Sequence, residues 1–240
     1  METNTTPDTG IEELAEKPVI PATEKPRTVQ TDGLMQTVKT AARIISAIFS
    51  PLLAPTYGAA LALWVTFLYA VPLSSRINVL VVTFAITTMI PVIGIYVMLR
   101  LGLVTDSGLN KQKERLWPYV LTLLCYIATA IYYSSVKAPG WMCGYLIGGA
   151  AAALLSMLIN FKWKISGHGA AMGGIVALAF FIDYYGLAAW NATPWFIASI
   201  LCAGLVGTSR LILDRHTLMQ VAAGIANGFA CVYICLLLSI

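Results

Sequence analysis

Seven apolar stretches are spaced along this chain, at approximately 48–72, 78–99, 117–136, 140–160, 167–185, 194–212 and 217–239. Each is close to the roughly 20 residues that a helix needs to cross a bilayer. No other feature constrains the fold as much. In hydrocarbon every backbone N–H and C=O must find its partner inside the protein, and a helix meets that need within its own segment. The chain is therefore predicted to be all-α, a polytopic membrane helical bundle with six or seven transmembrane helices over residues 36–240. Only 11% of its residues are charged and 58% are hydrophobic, whereas soluble domains carry about 25% charge, so most of the length must lie in lipid. Pro51 and Pro55 fall in the first turns of the 48–72 stretch, and Pro91 is expected to kink the second span.

Residues 1–35 have no apolar period. They hold Pro7, Pro18, Pro21 and Pro26 and seven acids against three bases, a composition that predicts a disordered N-terminal tail. Being acidic and lacking an apolar central run, the segment does not read as a signal peptide. The formal charge of +4 thus divides unevenly: the remaining chain has twelve bases against four acids. That excess is too small and too local for a nucleic-acid partner and points to an anionic partner at the membrane surface. Cys125, Cys143, Cys202, Cys231 and Cys235 lie inside apolar spans with no metal-ligand spacing, and read as small core residues.

The informative residues are the polar interruptions. Gln36–Ser50 reads as an amphipathic lead-in whose Lys39 and Arg43 anchor at the headgroups. Arg76 sits in the turn between the first two spans. Lys111, Lys113 and Arg115 precede Trp117 and Pro118 at the start of the third span. The fourth carries Gly144 and Gly148, small residues that allow close helix approach, and ends in Phe161-Lys162-Trp163-Lys164. Ser166-Gly167-His168 then opens the fifth, where unpaired backbone N–H groups and the positive end of the helix dipole favour an anion. The densest knot is Ser209-Arg210-Leu211-Ile212-Leu213-Asp214-Arg215-His216-Thr217-Leu218-Met219-Gln220. His216, Gln220, Gly224 and Gly228 recur every four residues, which puts them on one helical stripe and lets the Gln220 oxygen select the tautomer of His216.

Counting crossings brings these knots together. If Arg115 lies on one face, two spans return the chain to that face at His168, and two more return it there at Arg210 and His216. The opposite loops, 134–139 and 184–193, hold only Lys137 and Asp183. Two histidines ringed by Lys111, Lys113, Arg115, Lys164 and Arg210 suit phosphoryl transfer, in which cations and oriented N–H groups stabilise the transferred group. One histidine would attack and the other protonate the leaving oxygen. No carboxylate cluster is available for Mg²⁺ and two histidines are too few for a zinc site, so the expected mechanism uses no metal and no cofactor.

Lys113-x-Arg115-x-x-Pro118, Ser166-Gly167-His168 and Ser209-Arg210-x5-His216 resemble, in order, the three signatures of the type 2 phosphatidic acid phosphatase superfamily, which includes lipid phosphatases and the soluble vanadium haloperoxidases. The resemblance covers about residues 100–235. It implies a membrane phosphatase acting through a phosphohistidine, with His216 as nucleophile and His168 as general acid. Lys113, Arg115 and Arg210 would hold the phosphate, assisted by the Ser166 and Gly167 backbone. The chain departs from the family pattern twice. Its first motif is compressed, with Leu116 and Trp117 between arginine and proline, so that either Lys111 or Lys113 could reach phosphate. Gln220 stands where the family has an aspartate four residues beyond the histidine; its amide can orient the ring but cannot stabilise an imidazolium as a carboxylate would.

The expected activity is hydrolysis of a lipid phosphate or pyrophosphate, with phosphatidic acid, phosphatidylglycerol phosphate, a polyprenyl pyrophosphate and a lipid A phosphate all compatible. Transfer of the phosphoryl group to a second lipid is a variant of the same chemistry. The contrasting expectation is a transporter or lipid-binding membrane protein that only holds an anionic headgroup. Resemblance implies a bacterial inner membrane with the site facing the periplasm. The charge count implies the cytoplasmic face, because ten of the twelve bases after the tail fall on the site's side and only Arg76 and Lys137 on the other.

Overall fold

In a computed structural model the described residues are 1–2, 28–103 and 116–239, and among them the chain is helical throughout apart from turns and one isolated bridge. The helices are α1 (Thr28–Ile48), α2 (Ala54–Val65), α3 (Leu73–Phe84), α4 (Ile90–Arg100), α5 (Leu116–Ser135), α6 (Gly140–Asn160), α7 (Gly167–Tyr184), α8 (Thr193–Ile212) and α9 (Leu218–Leu237). Seven segments are long and apolar enough to cross a membrane. The protein is an all-α polytopic bundle. Its outward side chains are what hydrocarbon requires: Leu124, Ile131, Leu201 and Ile234 are all more than half exposed, an arrangement water would not tolerate over so much surface.

Five of the seven spans fall where the apolar stretches put them; the first two are more complicated. The first membrane-length segment is Gly33–Val65, so the stretch read as an amphipathic lead-in is part of the first crossing and the 48–72 boundary is displaced. The cause is Pro51. The residue before a proline is pushed out of helical geometry, and Ser50 is extended at φ −60°, ψ 141°. The helix therefore stops at Ile48, a single 3₁₀ turn (Pro51–Leu53) intervenes, and α2 resumes at Ala54. Helix α1 also begins at Thr28, inside the stretch 1–35 read as tail. The kink expected at Pro91 takes the form of a π-helical turn at Ala85–Met89 immediately before α4, where Pro91 sits in the first turn. A proline there needs no N–H partner, and the widened turn absorbs the ring that would otherwise strike the preceding carbonyl.

Helix α7 is the axis of the bundle. Of its membrane-length window 61% is buried, against 22–44% for the other six. Its tightest neighbour is α9. A Cβ at Gly224 would collide with the Ser166 carbonyl and one at Gly228 with the Ala170 carbonyl, while one at Gly169 would lie 2.8 Å from the Val221 carbonyl. Backbone thus meets backbone, the close approach that small residues allow in membranes. Helix α6 meets α9 in the same way at Gly144 and Gly148. A buried polar clasp reinforces that contact: Asn227 Nδ2 donates to the Ala152 carbonyl at 3.0 Å and to Ser156 Oγ at 2.9 Å. The five cysteines are free thiols, Cys125 buried and the others half-buried, packed as small core residues are.

The end of the bundle away from the histidines is closed. Thr66 and Ala188 form an isolated antiparallel bridge, with Phe67 N–H donating to the Leu187 carbonyl at 3.0 Å and Ala189 N–H to the Val65 carbonyl at 2.9 Å. Beside it the Arg76 guanidinium lies between the rings of Trp64 and Tyr69, 5.2 and 4.8 Å from their centroids.

Candidate functional site

At the opposite end the helix termini surround a cavity of about 630 Å³. Each crossing contributes where the parity count expects it. Helix α5 supplies Pro118 and Tyr119 from its first turn, α6 Ser156 from its last, α7 Gly167 and His168 from its first, and α8 Arg210 from its last. The turn between α8 and α9 adds Arg215 and His216. His168 therefore lines one hollow with Arg210 and His216, which lie on the far side of two further crossings.

The chain reaches His216 through a sharp break. Asp214 has φ 53°, a left-handed conformation that ends α8, and α9 starts only after Thr217. His216 therefore precedes the helix and does not belong to it, and the four-residue stripe begins at Gln220. The contact expected between His216 and Gln220 is nevertheless present, for a different reason. Thr217 caps α9 by accepting from the Gln220 N–H at 3.4 Å, and the Gln220 side chain folds back so that Oε1 accepts from the Thr217 N–H at 3.2 Å. This is a capping box. It delivers the same oxygen to within 3.1 Å of His216 Nδ1. An oxygen already accepting from a backbone N–H can only accept from the ring, so Nδ1 carries a proton and the neutral imidazole keeps its lone pair on Nε2. His216 is 9% exposed, so that lone pair is sheltered from bulk water.

His168 is held by a residue outside every motif. Its Nε2 lies 3.0 Å from the Ser46 carbonyl on α1, and a carbonyl can only accept, so Nε2 is the protonated nitrogen. The first turn of α7 is ordered by Ser166, which is fully buried and whose Oγ accepts from the Gly169 N–H at 3.1 Å. The Ser166 N–H donates to the Gln220 carbonyl at 3.2 Å. The residue that orients His216 thus also anchors the turn that carries His168, and the two rings are positioned by one piece of structure.

Of the residues singled out in sequence, His168, His216, Arg210 and Gly167 line the cavity. Ser166 and Gln220 stand behind it as supports. Lys164 is half-buried at the same end but is not part of the lining. Lys111, Lys113 and Arg115 lie outside the described residues. Two further cations line the cavity: Arg215, and Arg43 from α1. Arg43 was read as a headgroup anchor; its spacing of three from Ser46, which puts both on one helix face, was the signal available. Among the described residues no three His, Cys, Asp or Glu side chains converge as a metal site would need.

The arrangement can bind an anion with guanidinium groups, present a basic imidazole nitrogen to it and supply a proton from a second ring. Comparison of the chain with family models, with curated proteins and with solved structures finds no match.

Proposed function

We propose that the protein is a metal-independent phosphatase that hydrolyses a lipid phosphate or pyrophosphate through a phosphohistidine. The observation that carries this reading is that His216 and His168 line one cavity with Arg210, each ring fixed by a hydrogen bond to a defined acceptor. The similarity of the three sequence motifs to the type 2 phosphatidic acid phosphatases supports it independently.

In the proposed cycle Arg210 holds the phosphoryl oxygens, joined by Lys113, Arg115 and the α7 N-terminus at Gly167, whereas Ser166, expected to assist through its backbone, gives its N–H to the Gln220 carbonyl and only holds the turn in place. His216 Nε2 attacks phosphorus, forming an N–P bond as the P–O bond to the lipid breaks. His168, doubly protonated with Nε2–H kept on the Ser46 carbonyl, gives its Nδ1 proton to the departing oxygen, which leaves as an alcohol or a phosphate. Water then attacks the phosphohistidine, His168 takes its proton, and inorganic phosphate leaves with His216 restored. Gln220 keeps Nδ1–H in place, and since it is neutral the developing imidazolium receives orientation without charge compensation. Transfer to a second lipid hydroxyl instead of water would follow the same steps.

The lipid substrate and surrounding membrane lipids are the partners this reading calls for, and its setting is the inner membrane of a bacterium. Reporter fusion behind α9, which ends at the far face, identifies the side on which the site opens. The functional test is phosphate release by purified protein in EDTA from phosphatidic acid, phosphatidylglycerol phosphate, a polyprenyl pyrophosphate and a lipid A phosphate. Turnover that survives intact in His216→Ala would contradict the mechanism. One observation favours a non-enzymatic carrier, the neutral Gln220 in place of an acid; lipid binding with no phosphate release from any of the four would establish that reading.

A further inference from the structure

We propose that the cavity seats a single hydrocarbon chain of the phosphorylated substrate inside the bundle, and that Tyr145 is the stop that sets how much of that chain fits. The inference rests on the phosphatase reading for the head of the substrate and adds the nature of its tail.

The cavity has two unlike ends. Its polar end is the cluster of Arg43, His168, Arg210 and His216; from there it runs inward between α5, α6 and α7 to Tyr126, Tyr145 and Val232. Tyr145 lies deeper than Ser156 on the same helix by about 16 Å at 1.5 Å per residue, which is about half of a hydrocarbon core of roughly 30 Å. The walls are small side chains, Gly149, Ala152 and Ala153 on α6 with Ala171 and Gly174 on α7. The two tyrosine hydroxyls at the inner end are already engaged: Tyr145 donates to the Ala54 carbonyl at 2.9 Å and Tyr126 to the Pro51 carbonyl at 3.4 Å. The unbonded Ser46 hydroxyl belongs to the polar end, beside His168; the inner limb, whose tyrosine hydroxyls are met, is a poor site for water and a good one for alkyl carbon.

The inner end is a wall one ring thick. Tyr145 is 7% exposed and pressed against Gly58, where any side chain would collide with its ring. Beyond that ring is a second cleft, bounded by Gly58, Ala59, Tyr133, Trp141 and Leu178 as well as Tyr145, with no room for a water. Tyr145 alone of the deep residues is shared by both spaces. At about 30 Å³ per water-sized group the 630 Å³ holds on the order of twenty heavy atoms. A phosphate and one chain of about fifteen carbons fill that volume; the two chains of a diacyl lipid do not fit within it.

The test uses the full chain in amphipol and a series of n-alkyl phosphates kept below their micelle-forming concentrations. In the wild type kcat/KM rises about fourfold per added carbon while the chain is entering the limb, then stops rising near fifteen carbons. Ala153→Phe, which fills the limb from a half-exposed wall position, moves the break to shorter chains. Tyr145→Ala, which joins the cavity to the cleft, moves it to longer ones. If Tyr145→Ala does not accumulate as folded protein, Ala153→Phe decides by itself. A break that stays in place in Ala153→Phe, or no break at all, overturns the proposal. If no alkyl phosphate is hydrolysed, the matching alkylphosphonates are titrated calorimetrically: a break in their affinity supports the chain stop while the hydrolase reading falls, and affinities independent of chain length overturn the stop.

Discussion

The two ends of this bundle each contain an arginine, one set against aromatic rings and the other bordering a cavity. At the closed end Arg76 is 7% exposed, sandwiched between Trp64 and Tyr69, with Nε and Nη1 making no hydrogen bond. Its charge is met by ring faces. At the other end Arg210 borders an open cavity beside two histidines whose rings are held from behind, by Ser46 and by Gln220. The same residue type packs against rings at one end and lines a cavity at the other, where the proposed mechanism uses it to hold phosphate. Counting basic residues on each face, as a charge rule does, cannot separate the two.

That contrast can be broken by substitutions with opposite signatures. The largest effect belongs to Arg210→Ala, expected to lower kcat/KM for phosphate release by on the order of 10²–10³-fold, the loss typical of an electrostatic transition-state contact, with the thermal midpoint close to wild type. Arg210→Lys, which keeps the charge but not the fork, should fall between. A smaller loss is expected from Gln220→Ala, about tenfold or more in kcat, as for other partners that orient a working histidine. Gln220→Glu preserves the capping box while placing a carboxylate against His216. A carboxylate favours the protonated ring, and attack needs the neutral one, so the acid limb of the kcat/KM profile should move to higher pH. The smallest effect on activity is expected from Arg76→Ala: about 2 kcal/mol of stability lost with its two ring contacts, read as a lower midpoint, and kcat/KM within about twofold of wild type. An Arg76→Ala protein that is stable but inactive would remove the distinction between the two ends.

How much of this was legible beforehand follows from how local each signal is. The later five spans and the gathering of His168, Arg210 and His216 on one face needed only apolar length and a count of crossings. The first crossing was misplaced because Pro51 divides it, and the polar face of α1 resembles a surface helix until its Arg43 and Ser46 are seen beside the cavity. Gln220 was assigned to His216 by a four-residue spacing, yet the contact arises because the capping box turns the amide backwards across a break in the helix. Tyr145 gave no signal: a tyrosine in an apolar span reads as core, and only the spaces on both sides of its ring distinguish it. The Lys111–Arg115 cluster, expected to complete the phosphate site, lies outside the described residues.

The proposed mechanism requires that His216 become phosphorylated. Rapid quench of the purified protein with a ³²P-labelled lipid phosphate, followed by peptide mapping under alkaline conditions that preserve phosphohistidine, measures this directly. The expected result is acid-labile label on His216 that forms and decays within the turnover time and is absent from His216→Ala. Label on any other residue, or phosphate release by His216→Ala at the wild-type rate, would contradict it.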